Sequence, residues 1–96
     1  MKDELEKLKP KIIRILKKHK IARAGVFGSY VRGEPKRNSD IDILIDVNDG
    51  KFSLIDLINL EMELKRAIKK KVDLLTYKGI SPYLRNRILK EEVRIL

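Results

Sequence analysis

Residues 40–47 read Asp-Ile-Asp-Ile-Leu-Ile-Asp-Val, and this run decides the fold. β-Branched side chains dominate it, which favours an extended backbone. Side chains two residues apart on a strand share a face. Ile41, Ile43 and Ile45 therefore turn toward a core, while Asp40 and Asp42 present two carboxylates on the opposite side. Asn48-Asp49-Gly50 follows as a turn signal.

Working outward, residues 22–27 (Ala-Arg-Ala-Gly-Val-Phe) are short and rich in small and apolar types, and read as a strand. Gly28-Ser29 ends it. Residues 29–33 are expected to form a short helical turn closed by Gly33, and 34–39, with Pro35, Asn38 and Ser39, a loop. Upstream, Leu5, Leu8, Ile12, Ile15 and Leu16 recur in helical steps over 2–19, with Pro10 either kinking one helix or opening a second. Downstream, Leu57, Leu60, Leu64 and Ile68 mark a helix over 53–69, with Ser53 as its cap and Asp56 in its first turn. Residues 72–76 (Val-Asp-Leu-Leu-Thr) form another strand. Ser81-Pro82 opens a last helix whose buried face is expected to carry Leu84, Ile88 and Ile95. The expectation is one α/β domain over 1–96, with a small mixed sheet of three or four strands flanked by helices.

Composition narrows the chemistry. At 96 residues the core is modest, so a site should lie on an open face or be completed by a partner. With no cysteine there are no disulfides, thiolate metal sites or cysteine nucleophiles. His19 is the only histidine, which leaves little scope for a histidine metal site; it reads as a solvated residue suited to a helix C-terminus. No run approaches a membrane span and the N-terminus carries no apolar stretch, so no membrane association and a cytoplasmic location are expected. The net charge of +9 favours polyanionic partners: nucleotides, nucleic acid or an acidic protein. The basic residues are nonetheless spread out, and Lys69-Lys70-Lys71, the one tight run, closes a helix.

The chemistry gathers around two features. Gly28 lets a backbone approach a ligand closely, and N–H groups at the following turn, with the Ser29 hydroxyl, suit phosphate oxygens. Asp40 and Asp42 share a strand face, where two like charges call for a counter-charge such as Mg²⁺. Asp73 interrupts an otherwise apolar strand. If that strand lies beside 40–47, three carboxylates meet the needs of two Mg²⁺ ions in phosphoryl transfer, with Asp73 a shared ligand or general base. Asp46, Asp49 and Asp56 compete for that third role.

Joined, Gly28-Ser29-Tyr30-Val31-Arg32-Gly33 and Ser39-Asp40-Ile41-Asp42 read G-S-x10-D-x-D. This resembles the active-site motif of the DNA polymerase β-type nucleotidyltransferases, and more closely the minimal nucleotidyltransferases (MNT). The resemblance implies the polymerase β-type fold, triphosphate binding by Gly28 and Ser29, metal ligation by Asp40 and Asp42, and Asp73 as the third acid. Arg32 resembles a family arginine near the phosphates; its plainer role is a surface ion pair with Glu34. Tyr30 is assigned no role. The usual MNT companion is a HEPN toxin. The resemblance therefore implies an antitoxin that transfers AMP from ATP to a tyrosine of that toxin, as one part of a homo- or hetero-oligomer. The alternative is a module that neutralises its partner by contact alone. Direct nucleic-acid binding is not expected, because the aromatics Phe27, Tyr30, Phe52, Tyr77 and Tyr83 do not interleave with the basic residues.

Overall fold

The computed structural model describes residues 2–31, 40–47 and 52–96. α1 (Lys2–Lys18) runs unbroken through Pro10. Pro10 sits on the exposed face, where the carbonyl that loses its intrahelical partner can bond to water. The opposite face buries Leu5, Leu8, Ile12, Ile15 and Leu16, as the spacing predicts. β1 (Arg23–Phe27) leads into a single 3₁₀ turn, Gly28–Tyr30, shorter than the expected helical turn. β2 spans Ile41–Asp46 and α2 Leu54–Ile68. A reciprocal capping box fixes the start of α2. The Asp56 N–H donates to the Ser53 hydroxyl at 3.2 Å, and the Ser53 N–H donates to the Asp56 carboxylate at 2.8 Å. β3 (Val72–Thr76), α3 (Pro82–Glu91) and β4 (Val93–Arg94) complete the chain.

The four strands lie in the order β3-β2-β1-β4. β2 and β3 are parallel, joined by α2, while β1 runs antiparallel to both its neighbours. The alternation read from 40–47 holds. Ile41, Ile43 and Ile45 point into the main core with Ala24, Val26, Val72 and Leu74, beneath α1 and the Leu60-Leu64-Ile68 face of α2. The other sheet face is not simply solvated. Phe27 and Leu44 form a second, smaller cluster there with Tyr77, Ile80 and Ile88, which seats α3. Asp42 and Asp73 lie on this α3 face.

The last helix departs from expectation. The Ser81 side chain makes no capping hydrogen bond, and Pro82 alone starts the helix. Of the three apolar residues assigned to its buried face, only Ile88 is buried in α3. Leu84 is 49% exposed, and Ile95 lies beyond the helix, its N–H donating to the Ala24 carbonyl at 2.9 Å. The chain end pairs with β1 as a fourth strand. An open β1 edge would leave a row of unpaired backbone groups, and β4 covers part of it. No described helix is long and apolar enough to cross a membrane.

Candidate active site

The site forms where β1 ends and β2 and β3 begin. Phe27, the last residue of β1, is the register partner of Asp42, and Asp42 is in turn the register partner of Asp73. Because the strands of a sheet lie about 4.8 Å apart, this register sets the two aspartates side by side on one face. Asp42 is half-buried and Asp73 exposed. Asp40 is exposed just before β2, with the same parity as Asp42.

Gly28 turns the chain away from the sheet with φ +83, a conformation that disfavours side chains. The need for glycine is also steric. A Cβ at position 28 would overlap the Asp42 carboxylate, so that carboxylate lies directly against the glycine backbone. This contact joins the two halves of the motif read from sequence. Ser29 follows within the 3₁₀ turn, its backbone set beside Gly28. Arg32 lies outside the described residues, as do Glu34 and Asp49. Two of the competing acids lie elsewhere. Asp46 ends β2 opposite Arg23, and Asp56 is the capping-box carboxylate of α2. Tyr30 proves to be a core residue, buried with its hydroxyl unpartnered and Lys70 Nζ 5.9 Å from its ring centre.

An open cleft of about 240 Å³ runs from Gly28 and Asp42 to α3, lined by Phe27, Gly28, Asp42, Leu84, Arg87, Ile88 and Glu91. From sequence, Leu84 and Ile88 read only as a buried helix face, and Arg87 and Glu91 were not singled out. Their signal is helical spacing alone: positions 84, 87, 88 and 91 fall on one side of a helix. A small-molecule pocket commonly measures roughly 300–1,000 Å³, so a whole nucleotide would reach beyond this cleft onto open surface. A larger groove of about 460 Å³ between α1 and α2, lined by Arg14, Ile15, Lys18, Glu63, Arg66 and Ala67, contains none of the motif residues. His19 at its edge is not merely solvated. Its Nε2 lies 2.8 Å from the Glu63 carboxylate, and bonds from His19 and then Lys18 hold Glu63 below the usual carboxylate range.

Hard carboxylate oxygens are the donors Mg²⁺ prefers, and Asp42 and Asp73 bring two such groups to one place. Asp40, just before β2, adds a third carboxylate at the same end of the sheet. Among the described residues, no three acidic or histidine side chains are yet drawn into one metal-holding group. The donor set fits a divalent ion in chemical type, while the three carboxylates are not gathered around one point.

The far end of the same sheet face holds a different cluster. The Tyr77 hydroxyl donates to Glu92, Arg23 lies 4.6 Å from the Tyr77 ring centre, and its guanidinium is 3.9 Å from Glu92. Gly25 leaves the space that the Glu92 side chain fills. Burial first, then the Glu92 carboxylate, pushes the Tyr77 hydroxyl up to about 12. This cluster fastens the β4 end of the chain to the sheet and lies away from the aspartates.

Residues 10–96 match the family described as polymerase beta, nucleotidyltransferase. A Methanocaldococcus jannaschii protein named as a candidate protein adenylyltransferase is 51% identical over 92 residues, spanning 96% of this chain and 98% of that protein. The protein adenylyltransferase MntA of Thermococcus cleftensis is 39% identical over 75 residues, covering 78% of this chain and 75% of its own length. A solved toxin–antitoxin structure with AMP-PNP superposes with a TM-score of 0.82 at 30% identity, covering 92% of this chain and 72% of that one.

Proposed function

The chain belongs to the polymerase beta nucleotidyltransferase family, and on that premise we propose that it is a minimal protein adenylyltransferase that moves AMP from ATP to a tyrosine of a HEPN-type toxin, acting as its antitoxin. One observation carries the reading of the site: the Gly28 backbone lies against the Asp42 carboxylate, which stands beside Asp73. A phosphate-binding turn and a carboxylate pair meeting at one sheet end suit a metal-bound triphosphate.

In this reading Gly28 and Ser29 take the phosphates through the turn. Asp40 and Asp42, with Asp73, would hold Mg²⁺. When bound, that ion offsets the charge that builds on the phosphate oxygens. The tyrosine oxygen attacks the α-phosphorus, a P–O bond forms, and the bond to the β-phosphate breaks to release pyrophosphate. Asp73, exposed at the mouth of the site, is the candidate to accept the phenolic proton. The open site leaves the acceptor to be delivered by a partner, and ATP use fits a cytoplasmic protein.

The test is transfer of label from α-labelled ATP to a co-expressed toxin, comparing wild type with Asp42→Asn. Transfer should fall at least about a hundredfold while the complex stays intact, the scale seen when a group that stabilises transition-state charge is removed. Undiminished labelling removes Asp42 from the mechanism. A variant that no longer labels the toxin yet silences it fully favours neutralisation by contact.

A further inference from the structure

We propose that α3 completes the nucleotide site, with Arg87 as the cation that pairs with the polyphosphate of the substrate; the inference rests on the nucleotidyltransferase reading above. Among the described residues lining the cleft at Gly28 and Asp42, Arg87 is the one carrying positive charge. The other charged residues among the described lining are acids, Asp42 and Glu91, each with an interaction of its own, and Asp73 stands alongside Asp42. A polyanion entering such a cleft meets repulsion unless cations offset it. A guanidinium suits the task, since its planar fork matches phosphate oxygens two at a time.

The placement of Arg87 is held by the fold. Ile88, next in sequence, is buried against Phe27, Leu44, Tyr77 and Ile80 and anchors α3 over the strand ends. Leu84, one turn back on the cleft side, forms an apolar wall. Among the described residues Arg87 makes no ion pair. Arg85 and Lys90, also on α3, do not line the cleft.

The experiment measures affinity for Mg–ATP and AMP by calorimetry in wild type, Arg87→Ala, Arg87→Lys and Arg85→Ala, with circular dichroism to check folding. Arg87→Ala should weaken ATP about tenfold and AMP far less, because the charge-assisted bonds lost belong to the polyphosphate. Arg87→Lys should restore part of the loss, Arg85→Ala should match wild type, and the gap between Arg87→Ala and wild type should shrink as salt rises. In transfer assays the KM for ATP should rise more than kcat falls. ATP affinity within about twofold of wild type in Arg87→Ala, or equal losses for ATP and AMP, overturns the role of Arg87. Folded wild type that binds no ATP, alone or with its toxin, overturns the nucleotidyltransferase reading and this inference with it.

Discussion

Asp42 on β2 and Asp73 on β3 are register partners across a parallel strand pair, so two carboxylates thirty-one positions apart in sequence stand side by side at one end of the sheet. Neither could be moved along its strand without turning Ile41 or Val72 out of the core. The register that buries the apolar residues is the same register that juxtaposes the acids.

Replacing one of the pair separates stability from activity. Asp73→Asn should leave the metal-free protein slightly more stable, by a few tenths of a kcal/mol, because like charges directly opposite each other in a sheet are destabilising. Nucleotidyl transfer should fall. Urea unfolding without divalent ions, at low and high salt, checks the first part. A clear loss of stability there means that Asp73 is a structural group.

Gly28→Ala tests the contact between the turn and Asp42. The new methyl would meet the carboxylate and the backbone would be held at φ +83. A cost of about 1–3 kcal/mol is expected from the strained backbone, together with weaker ATP binding. Wild-type ATP affinity in a folded Gly28→Ala protein would show that phosphates do not approach this turn.

Tyr30 offers a sharper stability test. Its hydroxyl is buried without a partner, so Tyr30→Phe removes an unsatisfied group while keeping the ring. The variant should be as stable as wild type, or more so by up to about 1 kcal/mol. Tyr30→Ala should lose roughly 3–5 kcal/mol through the cavity it leaves. If Tyr30→Phe is markedly destabilised, the hydroxyl is bonded in solution.

Alkaline stability should depend on Tyr77. Its hydroxyl is raised from 10.0 to about 12 in the folded chain, so folding favours the protonated form. That contribution is fully present below pH 10 and is lost as pH rises through 12. Tyr77→Phe should flatten the fall in stability across this window, measured by urea midpoints at successive pH values. An unchanged slope would assign the alkaline loss to other groups.

The placement of the candidate residues was partly legible in the chain itself. The alternation over 40–47 put Asp42 opposite the core, and the glycine at 28 marked the turn. The third acid needed an assumption about which strands are neighbours, which β3 beside β2 satisfies. Less legible was α3. Leu84 was expected to be buried by its apolar character, yet it lies half-exposed on the cleft, while Arg87 drew no attention among 23 basic residues. Nothing local distinguishes Arg87 from Arg85; the packing of Ile88 decides which of them lines the cleft.

Sequence alone determined the kinds of element and which side of each is apolar, because periods of 2 and 3.6 are local properties of strand and helix. It also supplied the carboxylates and the glycine of the candidate site, because side-chain type does not depend on fold. Tertiary structure decided the rest. It set the strand order, brought the β4 end back to β1, hung α3 on Ile88, and pressed Gly28 onto Asp42. Those outcomes depend on contacts between residues far apart in the chain, chosen by how the whole core fills, and no local pattern records them.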